Sequence, residues 1–478
     1  MENAINIINY LKAGFPAISI KTDEPERIGI ELLPVLKEAN FNIMDWDIIK
    51  ANDPMAAIAG LLEAKDNSVM LAFNFHWFLN KPQIIQLLIN SFPEFSAMGK
   101  CFIVISNQVQ LPKEIEKDFL LMNLELPGES AIGKSIDFIT NGMPETVVKD
   151  RAKIIDMAKG LTKREMENVF ALSLVEKKEI DPAIISQFKS QTIEKSGFLS
   201  VLKSDKTFDD VVGYAVVKSF IMSTINSPDA KGIILVGPPG CGKTSLAEAI
   251  MAQTGKFGLQ VNMGKLFSKF VGETDKNIDY AIELIKSIGN CLVLIDEMEK
   301  AFSGAGSTGE GDSGVTRRAL SRWLDFLQNR PKGIYVVATC NSFKGMPPEY
   351  LRPGRWDTSP FYMDLPNHEV RQQILTHYAE KKNVKVEDQK LNLENFSGAE
   401  LEALVNVSAM MQQSLSESMK FIIPIAQTMP QEINDLRNWA SKCCIPADVE
   451  QSKTLTRRLK VELGEAIPAF PKKSKTKN

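Results

Sequence analysis

The chain has 478 residues, and its 56 lysines and arginines against 59 aspartates and glutamates give a formal charge of −3, without an overall basic field for nucleic acid. Its composition, 44% apolar and 24% charged, is typical of soluble globular proteins, and six cysteines in so long a chain indicate no disulfide framework. Because no apolar run approaches the roughly 20 residues that span a bilayer and no secretory signal opens the chain, we expect a cytoplasmic protein of about three domains.

Short apolar runs alternate with amphipathic segments of helical length through residues 1–127. The predicted strands are Ala17–Lys21, Asn42–Asp47, Val69–Asn74, Cys101–Ser106 and Leu121–Leu124. The predicted helices lie near Pro25–Ala39, Pro54–Ala64 and Lys81–Ile89. Alternation of this kind predicts a parallel sheet with crossover helices, so we expect an α/β domain over residues 1–127.

Helical patterns replace the strand signals from Gly128 onward. Thr162 is followed three residues later by Glu165, a spacing typical of the capping box that begins a helix. The sequence therefore predicts a helical, lid-like segment and a linker over residues 128–203.

The same plan then begins a second time. The predicted strands are Ile233–Val236, Leu259–Asn262, Leu292–Ile295, Tyr335–Thr339 and Ser359–Met363. We expect a second α/β domain over residues 204–365, a helical lid over 366–445 and a C-terminal tail over 446–478. The last ten residues are basic and polar, which is typical of disorder.

A glycine-rich loop with the pattern GxxxxGK[ST] follows the first strand of this second domain. Glycines let backbone N–H groups approach a polyphosphate, and the helix that follows adds partial positive charge. Lys243 can reach the β- and γ-phosphates of ATP, and the Thr244 hydroxyl can hold Mg²⁺. Cys241 occupies a free position of the motif and is interpreted as incidental; the alternative is that the helix N-terminus lowers the pKa of its thiol. The predicted nucleotide-binding residues of this loop are Gly237, Pro238, Pro239, Gly240, Cys241, Gly242, Lys243, Thr244 and Ser245.

Two adjacent carboxylates end the buried strand candidate about fifty residues later. We expect Asp296 to complete the magnesium shell and Glu297 to act as the general base that polarises the attacking water. Acidic pairs at strand ends are common in isolation. The phosphate-binding loop upstream is what makes this pair specific.

Together these motifs resemble the AAA ATPases, in particular the branch that remodels proteins. The segment that ends in Asn341 is similar to the family's sensor 1, and the segment Leu351–Asp357 is similar to its second region of homology. The resemblance implies a catalytic role for Asn341 and implies that Arg352 and Arg355 are arginine fingers for a neighbouring subunit. The alternative for both arginines is a solvated basic loop.

The resemblance also implies where the nucleoside is held. His377 matches the ribose-contacting position, although a surface histidine is the alternative. Val212 replaces the first of two glycines that the family often has, which makes the adenine contact less secure. The adenine-side residues implied by the resemblance are Asp210, Val211, Gly398 and Ala399.

Over nearly the whole chain, the closer similarity is to the conserved AAA proteins of chloroplast genomes and cyanobacteria. In the first domain, residues 20–27 contain no glycine, and Asp23, Glu24 and Glu26 would repel a polyphosphate. We expect a degenerate AAA-like domain that does not bind ATP. An unrelated α/β adaptor domain is the alternative.

Phe270 and Val271 are similar to the aromatic–hydrophobic pore loop of ring-shaped unfoldases, although a buried pair is the alternative. The glycine- and serine-rich segment Ser303–Gly314 is interpreted as a second pore loop or a flexible linker. The resemblance implies an ATP-driven protein unfoldase that assembles as a homo-oligomer, a hexamer in the family's manner, and acts on protein or peptide without a membrane. The alternatives are a nucleic-acid-associated ATPase and a regulatory scaffold.

Overall fold

The computed structural model describes residues 2–108, 111–124, 126–143, 148–267, 274–301, 313–342, 346, 348–352, 354–386 and 391–448. The predicted tail beyond residue 448 lies outside this part of the chain. By their internal contacts the residues form two units, one of Met1–Thr146 with Leu161–Glu176 and one of Val147–Gly160 with Lys177–Asn478.

The α-helices are distributed along both units. In chain order they are α1 (Glu2–Lys12), α2 (Pro25–Glu38), α3 (Pro54–Glu63), α4 (Pro82–Ala97), α5 (Glu129–Gly142), α6 (Arg151–Ala158), α7 (Lys163–Lys177), α8 (Pro182–Glu194), α9 (Ala215–Thr224), α10 (Lys243–Thr254), α11 (Met263–Leu266), α12 (Thr274–Ile288), α13 (Ser313–Asn329), α14 (His368–Lys382), α15 (Gly398–Met411), α16 (Leu415–Ser418), α17 (Ile425–Thr428) and α18 (Pro430–Cys443). None of the helices within the described residues has the length and apolar character needed to cross a membrane.

The first unit is built on a parallel sheet of five strands in the order β2-β3-β4-β1-β5. The strands are β1 (Ala17–Lys21), β2 (Asn42–Trp46), β3 (Ser68–Phe73), β4 (Cys101–Ser106) and β5 (Phe119–Asn123). Successive side chains of β4 enter two separate apolar clusters, with Phe102 in one and Ile103 in the other. Both faces of the sheet are therefore buried, which explains the continuous apolar runs in the sequence.

One predicted helix of this unit is longer than expected. Helix α4 continues through Pro93 to Ala97, whereas the apolar pattern predicted an end near Ile89. Phe92 and Phe95 are buried in the first unit's core, so packing outweighs the cost of a proline within the helix.

The second unit contains a larger sheet with the order β12-β11-β7-β10-β9-β8-β6. Its strands are β6 (Leu199–Val201), β7 (Gly232–Val236), β8 (Phe257–Val261), β9 (Cys291–Ile295), β10 (Tyr335–Cys340), β11 (Phe361–Tyr362) and β12 (Ile445–Pro446). The central run β8-β9-β10-β7-β11 repeats the strand order of the first sheet, and its neighbouring strands are parallel. The α/β fold class is thus confirmed, with the same core topology in both units.

Two edge strands were not predicted. Strand β6, within the segment interpreted as helical, runs antiparallel to β8, and β12 pairs with β11 where the lid was expected to give way to a tail. They span three and two residues, too few to produce a hydrophobic period. The chain therefore returns from the lid to the sheet before residue 448.

Candidate nucleotide-binding site

The phosphate-binding loop connects β7 to α10 at the carboxyl edge of the second sheet. A Cβ on Gly237 would lie 2.0 Å from the carbonyl oxygen of Met363, so only glycine fits beside β11. Gly242 has a φ of 77°, and a Cβ there would meet no atom of the described residues within 4 Å. The loop therefore presents an open backbone face directly before the N-terminus of α10, where an anion is favoured.

Lys243 is held inside this loop. Its side chain is 6% exposed, and its Nζ donates hydrogen bonds to the carbonyl oxygens of Gly237 and Pro238, both at 2.8 Å. Burial lowers the pKa of this ammonium from its usual value. The arrangement places a cation within the loop, where a phosphate oxygen can replace the carbonyl acceptors.

Strands β9 and β10 bring their carboxyl ends to the same place. Asp296 Oδ1 accepts hydrogen bonds from the hydroxyls of Thr244 at 3.0 Å and Thr339 at 2.6 Å. Thr339 Oγ1 also accepts from the backbone N–H of Glu297 at 2.9 Å. Sequence reasoning assigned no role to Thr339, although it stands two residues before the predicted sensor.

Glu297 adopts an unusual backbone conformation beside the predicted sensor residue. Its φ is 48°, a region that non-glycine residues rarely occupy and that is associated with functional sites. Asn341 Nδ2 donates to Glu297 Oε1 at 3.4 Å, and the backbone N–H of Asn341 donates to Glu299 Oε1 at 3.0 Å. Lys300 also forms an ion pair with Glu297. The predicted base and sensor are therefore adjacent.

A cleft of about 320 Å³ unites these groups with the predicted adenine side. Asp210 lies in it, and hydrogen bonds from Lys381 and from the Thr207 backbone hold the pKa of its carboxyl well below the usual range. Sequence reasoning missed several of the lining residues. The cleft is lined by Asp210, Val211, Val212, Tyr214, Pro239, Gly240, Cys241, Gly242, Lys243, Thr244, Ser245, Asp296, Glu297, Thr339, Asn341, Ile374, Tyr378, Gly398, Ala399 and Glu402.

His377, predicted to contact ribose, is placed behind this lining. Its Nε2 lies 3.9 Å from Asp210 Oδ1 and is buried without a hydrogen-bond partner among the described residues. The same helix, α14, presents Ile374 and Tyr378 to the cleft instead. His377 therefore reaches the site through Asp210.

The two predicted arginine fingers occupy different environments. Arg352 is exposed, whereas Arg355 is 7% exposed and donates from its guanidinium to the carbonyl oxygen of Glu349. The indole N–H of Trp356 fixes the same loop through the carbonyl of Tyr350 at 2.6 Å. Neither arginine is among the described residues that line the nucleotide cleft of its own chain.

The alternative for Cys241, a thiol with a lowered pKa, is wrong. Its side chain is 2% exposed, and burial raises its pKa to about 12. The apolar surroundings outweigh the partial positive charge of the helix N-terminus. The expected pore-loop residues Phe270 and Val271, and the segment 302–312, lie outside the described residues.

In the first unit, the corresponding loop carries a carboxylate where the second unit has a phosphate-binding backbone. Glu24 accepts hydrogen bonds from the backbone N–H groups of Lys163 at 3.1 Å and Arg164 at 2.8 Å, at the N-terminus of α7. The predicted capping box of Thr162 and Glu165 begins this helix. A cleft of about 580 Å³ beside Glu24 is lined by six acidic and three basic residues.

The second unit has an equivalent link between loop and lid. There, Ser397 and Glu400 form the capping box of α15, and the N–H of Ala399 donates to the carbonyl of Gly240 at 3.1 Å. Both units thus tie the loop after their first central strand to a helix N-terminus. In the first unit, a side-chain anion makes the tie.

Comparison with known proteins places these features in families. Residues 233–362 match the model of the AAA family, described as the ATPase family associated with various cellular activities. Residues 4–124 and 137–196 match the models of the N-terminal and second domains of SpoVK-like AAA ATPases.

Individual relatives extend over most of the chain. The AAA domain-containing protein ycf46 of Guillardia theta is 26% identical over 90% of this chain and 93% of its own length. Its counterpart from Pyropia yezoensis is 27% identical over 90% and 96%. The peroxisomal ATPase PEX1 of Komagataella phaffii is 26% identical over 68% of this chain and 31% of its own length. Residues 233–362 therefore carry an AAA ATPase domain, and the ycf46 proteins are similar to the chain along nearly its whole length.

Proposed function

We propose that the chain hydrolyses ATP to ADP and phosphate in the cleft of the second unit and uses this energy to remodel or unfold proteins as a ring-shaped homo-oligomer, a hexamer. One observation carries the catalytic part. The ends of β7, β9 and β10 bring Lys243, Thr244, Asp296, Glu297 and Asn341 to one cleft. The similarity to PEX1, which is named as a peroxisomal ATPase, supports the same activity.

The position of each residue in the cleft determines its proposed role in binding or hydrolysis. The loop amides and Lys243 bind the β- and γ-phosphates, since they present donors and positive charge at the N-terminus of α10. Glu297 takes the proton of the attacking water, and Asn341, 3.4 Å from its carboxylate, orients that water. Asp210, Val211, Gly398 and Ala399 enclose the adenine, and His377, 3.9 Å from Asp210, lies on the ribose side.

The donor set at Thr244 and Asp296 fits Mg²⁺. A hydroxyl and a carboxylate oxygen lie 3.0 Å apart, and both are hard oxygen ligands of the kind that this ion prefers. When bound, the ion supplies charge neutralisation for the phosphate oxygens. Thr339 keeps the Asp296 carboxylate oriented toward Thr244 through its 2.6 Å hydrogen bond.

The proposed ring predicts that arginines act in a neighbouring site. Arg352→Ala should leave ATP binding nearly intact but lower hydrolysis by about 10³-fold, since a finger supplied in trans stabilises charge only in the transition state. Arg355→Ala should also lower hydrolysis. Because Arg355 is buried, that change should in addition lower the melting temperature. Calorimetry, phosphate release and thermal melts on the same samples measure all three quantities.

Subunit mixing tests the trans arrangement directly. Mixed rings of Arg352→Ala and Lys243→Ala subunits should recover part of the lost activity, because an intact site forms where an unmodified Lys243 faces an unmodified Arg352. Co-assembled rings that recover no activity at any ratio would contradict action in trans.

The proposed client is an unfolded protein segment held by Phe270 and Val271. Phe270→Ala should keep basal ATPase activity but abolish its stimulation by unfolded protein, because an aromatic ring supplies contact area without reading sequence. If Phe270 is instead a core residue, the change should destabilise the protein by about 3–5 kcal/mol. A stable variant that unfolded protein still stimulates fully would contradict the unfoldase. Stimulation by DNA instead would favour the nucleic-acid motor.

A regulatory scaffold is the second candidate, and Glu24 favours it. We propose that the first unit binds no ATP, because the Glu24 carboxylate already occupies the N-terminus of α7 and would repel a phosphate. A unit whose phosphate position is blocked by its own carboxylate is suited to assembly or to partner binding. Slow ATPase activity without any client stimulation would favour the scaffold over the unfoldase.

A further inference from the structure

The segment Ile445–Asp448, here called the return segment, connects the end of the lid to the edge of the second sheet. Ile445 N–H donates to the carbonyl of Pro360 at 2.8 Å, and Ala447 N–H donates to that of Tyr362 at 2.9 Å. Ala447 is fully buried. The return segment is therefore an integral part of the sheet, although the family model for the AAA domain matches only residues 233–362.

The return segment also satisfies the backbone at the start of helix α9. The carbonyl of Ala447 accepts hydrogen bonds from the N–H groups of Val216 at 3.2 Å and Val217 at 3.4 Å. Asp448 Oδ2 accepts from the N–H of Tyr214, the residue before the helix, at 2.9 Å. These amides have no acceptors within their own helix, and a carboxylate is favoured by the partial positive charge there.

Tyr214 extends this contact to the nucleotide cleft. Its side chain is 8% exposed and lines the cleft, and its hydroxyl donates to the carbonyl of Cys241 in the phosphate-binding loop at 2.7 Å. Its φ is 61°, a left-handed conformation that a bulky residue keeps only when its surroundings hold it. A Cβ on the neighbouring Gly213 would lie 3.2 Å from Asp448 Oδ2, so the carboxylate packs closely against this turn.

We propose that Asp448 is a positioning residue for nucleotide binding, which holds Tyr214 and, through it, the Cys241 carbonyl of the phosphate-binding loop. The inference rests on the proposed binding of ATP in this cleft. Asp448 acts on affinity rather than on chemistry, because the contact reaches the wall of the cleft and not Glu297. The end of the lid is thereby linked to the nucleotide through residues 445–448.

The test compares nucleotide affinity in full-length variants. Asp448→Ala should raise the Kd for ATP and for ADP about tenfold, the loss expected for one charge-assisted hydrogen bond, with kcat at saturating ATP little changed. Asp448→Asn should recover part of the affinity, because the amide oxygen can still accept from the Tyr214 N–H. Glu432→Ala, an exposed carboxylate at the start of α18, is the matched control and should bind ATP normally.

A double-mutant cycle separates positioning from general destabilisation. Tyr214→Phe removes the hydroxyl that reaches Cys241. The loss of affinity in the double variant Tyr214→Phe with Asp448→Ala should therefore be smaller than the product of the losses in the two single variants. Fully multiplicative losses, or an unchanged Kd in Asp448→Ala, would overturn the inference. If Asp448→Ala does not fold, the cycle of Asp448→Asn with Tyr214→Phe decides in the same way.

The same measurements keep the two proposals apart. The proposed function itself would be overturned if the unmodified protein did not bind ATP, or if Lys243→Ala bound ATP with the same affinity as the unmodified protein. ATP binding that depends on Lys243 but not on Asp448 would overturn only the positioning role.

Discussion

Lys243→Ala is expected to raise the Kd for ATP at least 100-fold and to leave no measurable hydrolysis. The ammonium is buried within the loop, where it can exchange two carbonyl acceptors for phosphate oxygens. Each charge-assisted hydrogen bond contributes about 1.5–3 kcal/mol, so the loss of two corresponds to at least a hundredfold in affinity. Isothermal calorimetry with ATP measures the effect.

A second lysine provides the control for this change. Lys256 is half-buried and donates to the carbonyl of Gly333 at 3.3 Å, and burial lowers its pKa as it does for Lys243. It does not line the described cleft. Lys256→Ala should therefore bind ATP as the unmodified protein does. Equal affinities of the unmodified protein and Lys243→Ala would show that ATP is bound elsewhere or not at all.

Glu297→Gln is expected to bind ATP with nearly normal affinity but to lower turnover by about 10²–10⁴-fold, the usual contribution of a general base. The amide has the same shape as the carboxylate and can still accept from Asn341, but it cannot take a proton from water. Single-turnover hydrolysis, with ADP release measured separately, isolates this step. The variant should also retain clients in a pull-down, because ATP stays bound.

The neighbouring acid Glu299 distinguishes a base from a supporting acceptor. Glu299 Oε1 accepts a hydrogen bond from the backbone N–H of Asn341, and the amide oxygen of a glutamine could accept the same bond. Glu299→Gln should therefore lower turnover much less than Glu297→Gln does. The reverse order would assign the base to Glu299.

The sequence predicted the strands that lie inside both sheets because their apolar runs are continuous and separated by turns. For example, β1 and β4 begin and end at the predicted residues. The short edges could not be predicted, since β12 consists of two residues whose partner strand is about eighty residues away in the chain. Local pattern carries no information about such pairing.

In the candidate site, too, local motifs could be predicted and tertiary contacts could not. The loop and the acidic pair were predicted because each is a contiguous motif on one strand end. Thr339 and Tyr214 depend on which side chains meet across strands, and the burial of Arg355 and of the Cys241 thiol depends on tertiary packing. Motif spacing specifies position along the chain but not solvent exposure.

The return segment also bears on how the protein is made. Tyr214 and Asp448 are separated by 234 residues, so the nucleotide cleft of a nascent chain lacks this contact until Asp448 has been synthesised. At about 5–20 residues per second, the interval lasts roughly 10–50 s. In the last part of this interval, while the roughly eighty residues between β11 and β12 are made, β11 is an unpaired edge of a largely formed sheet, and such edges associate with other chains. Translation of the last lid helix and the five residues after it therefore ends a period of exposure to aggregation.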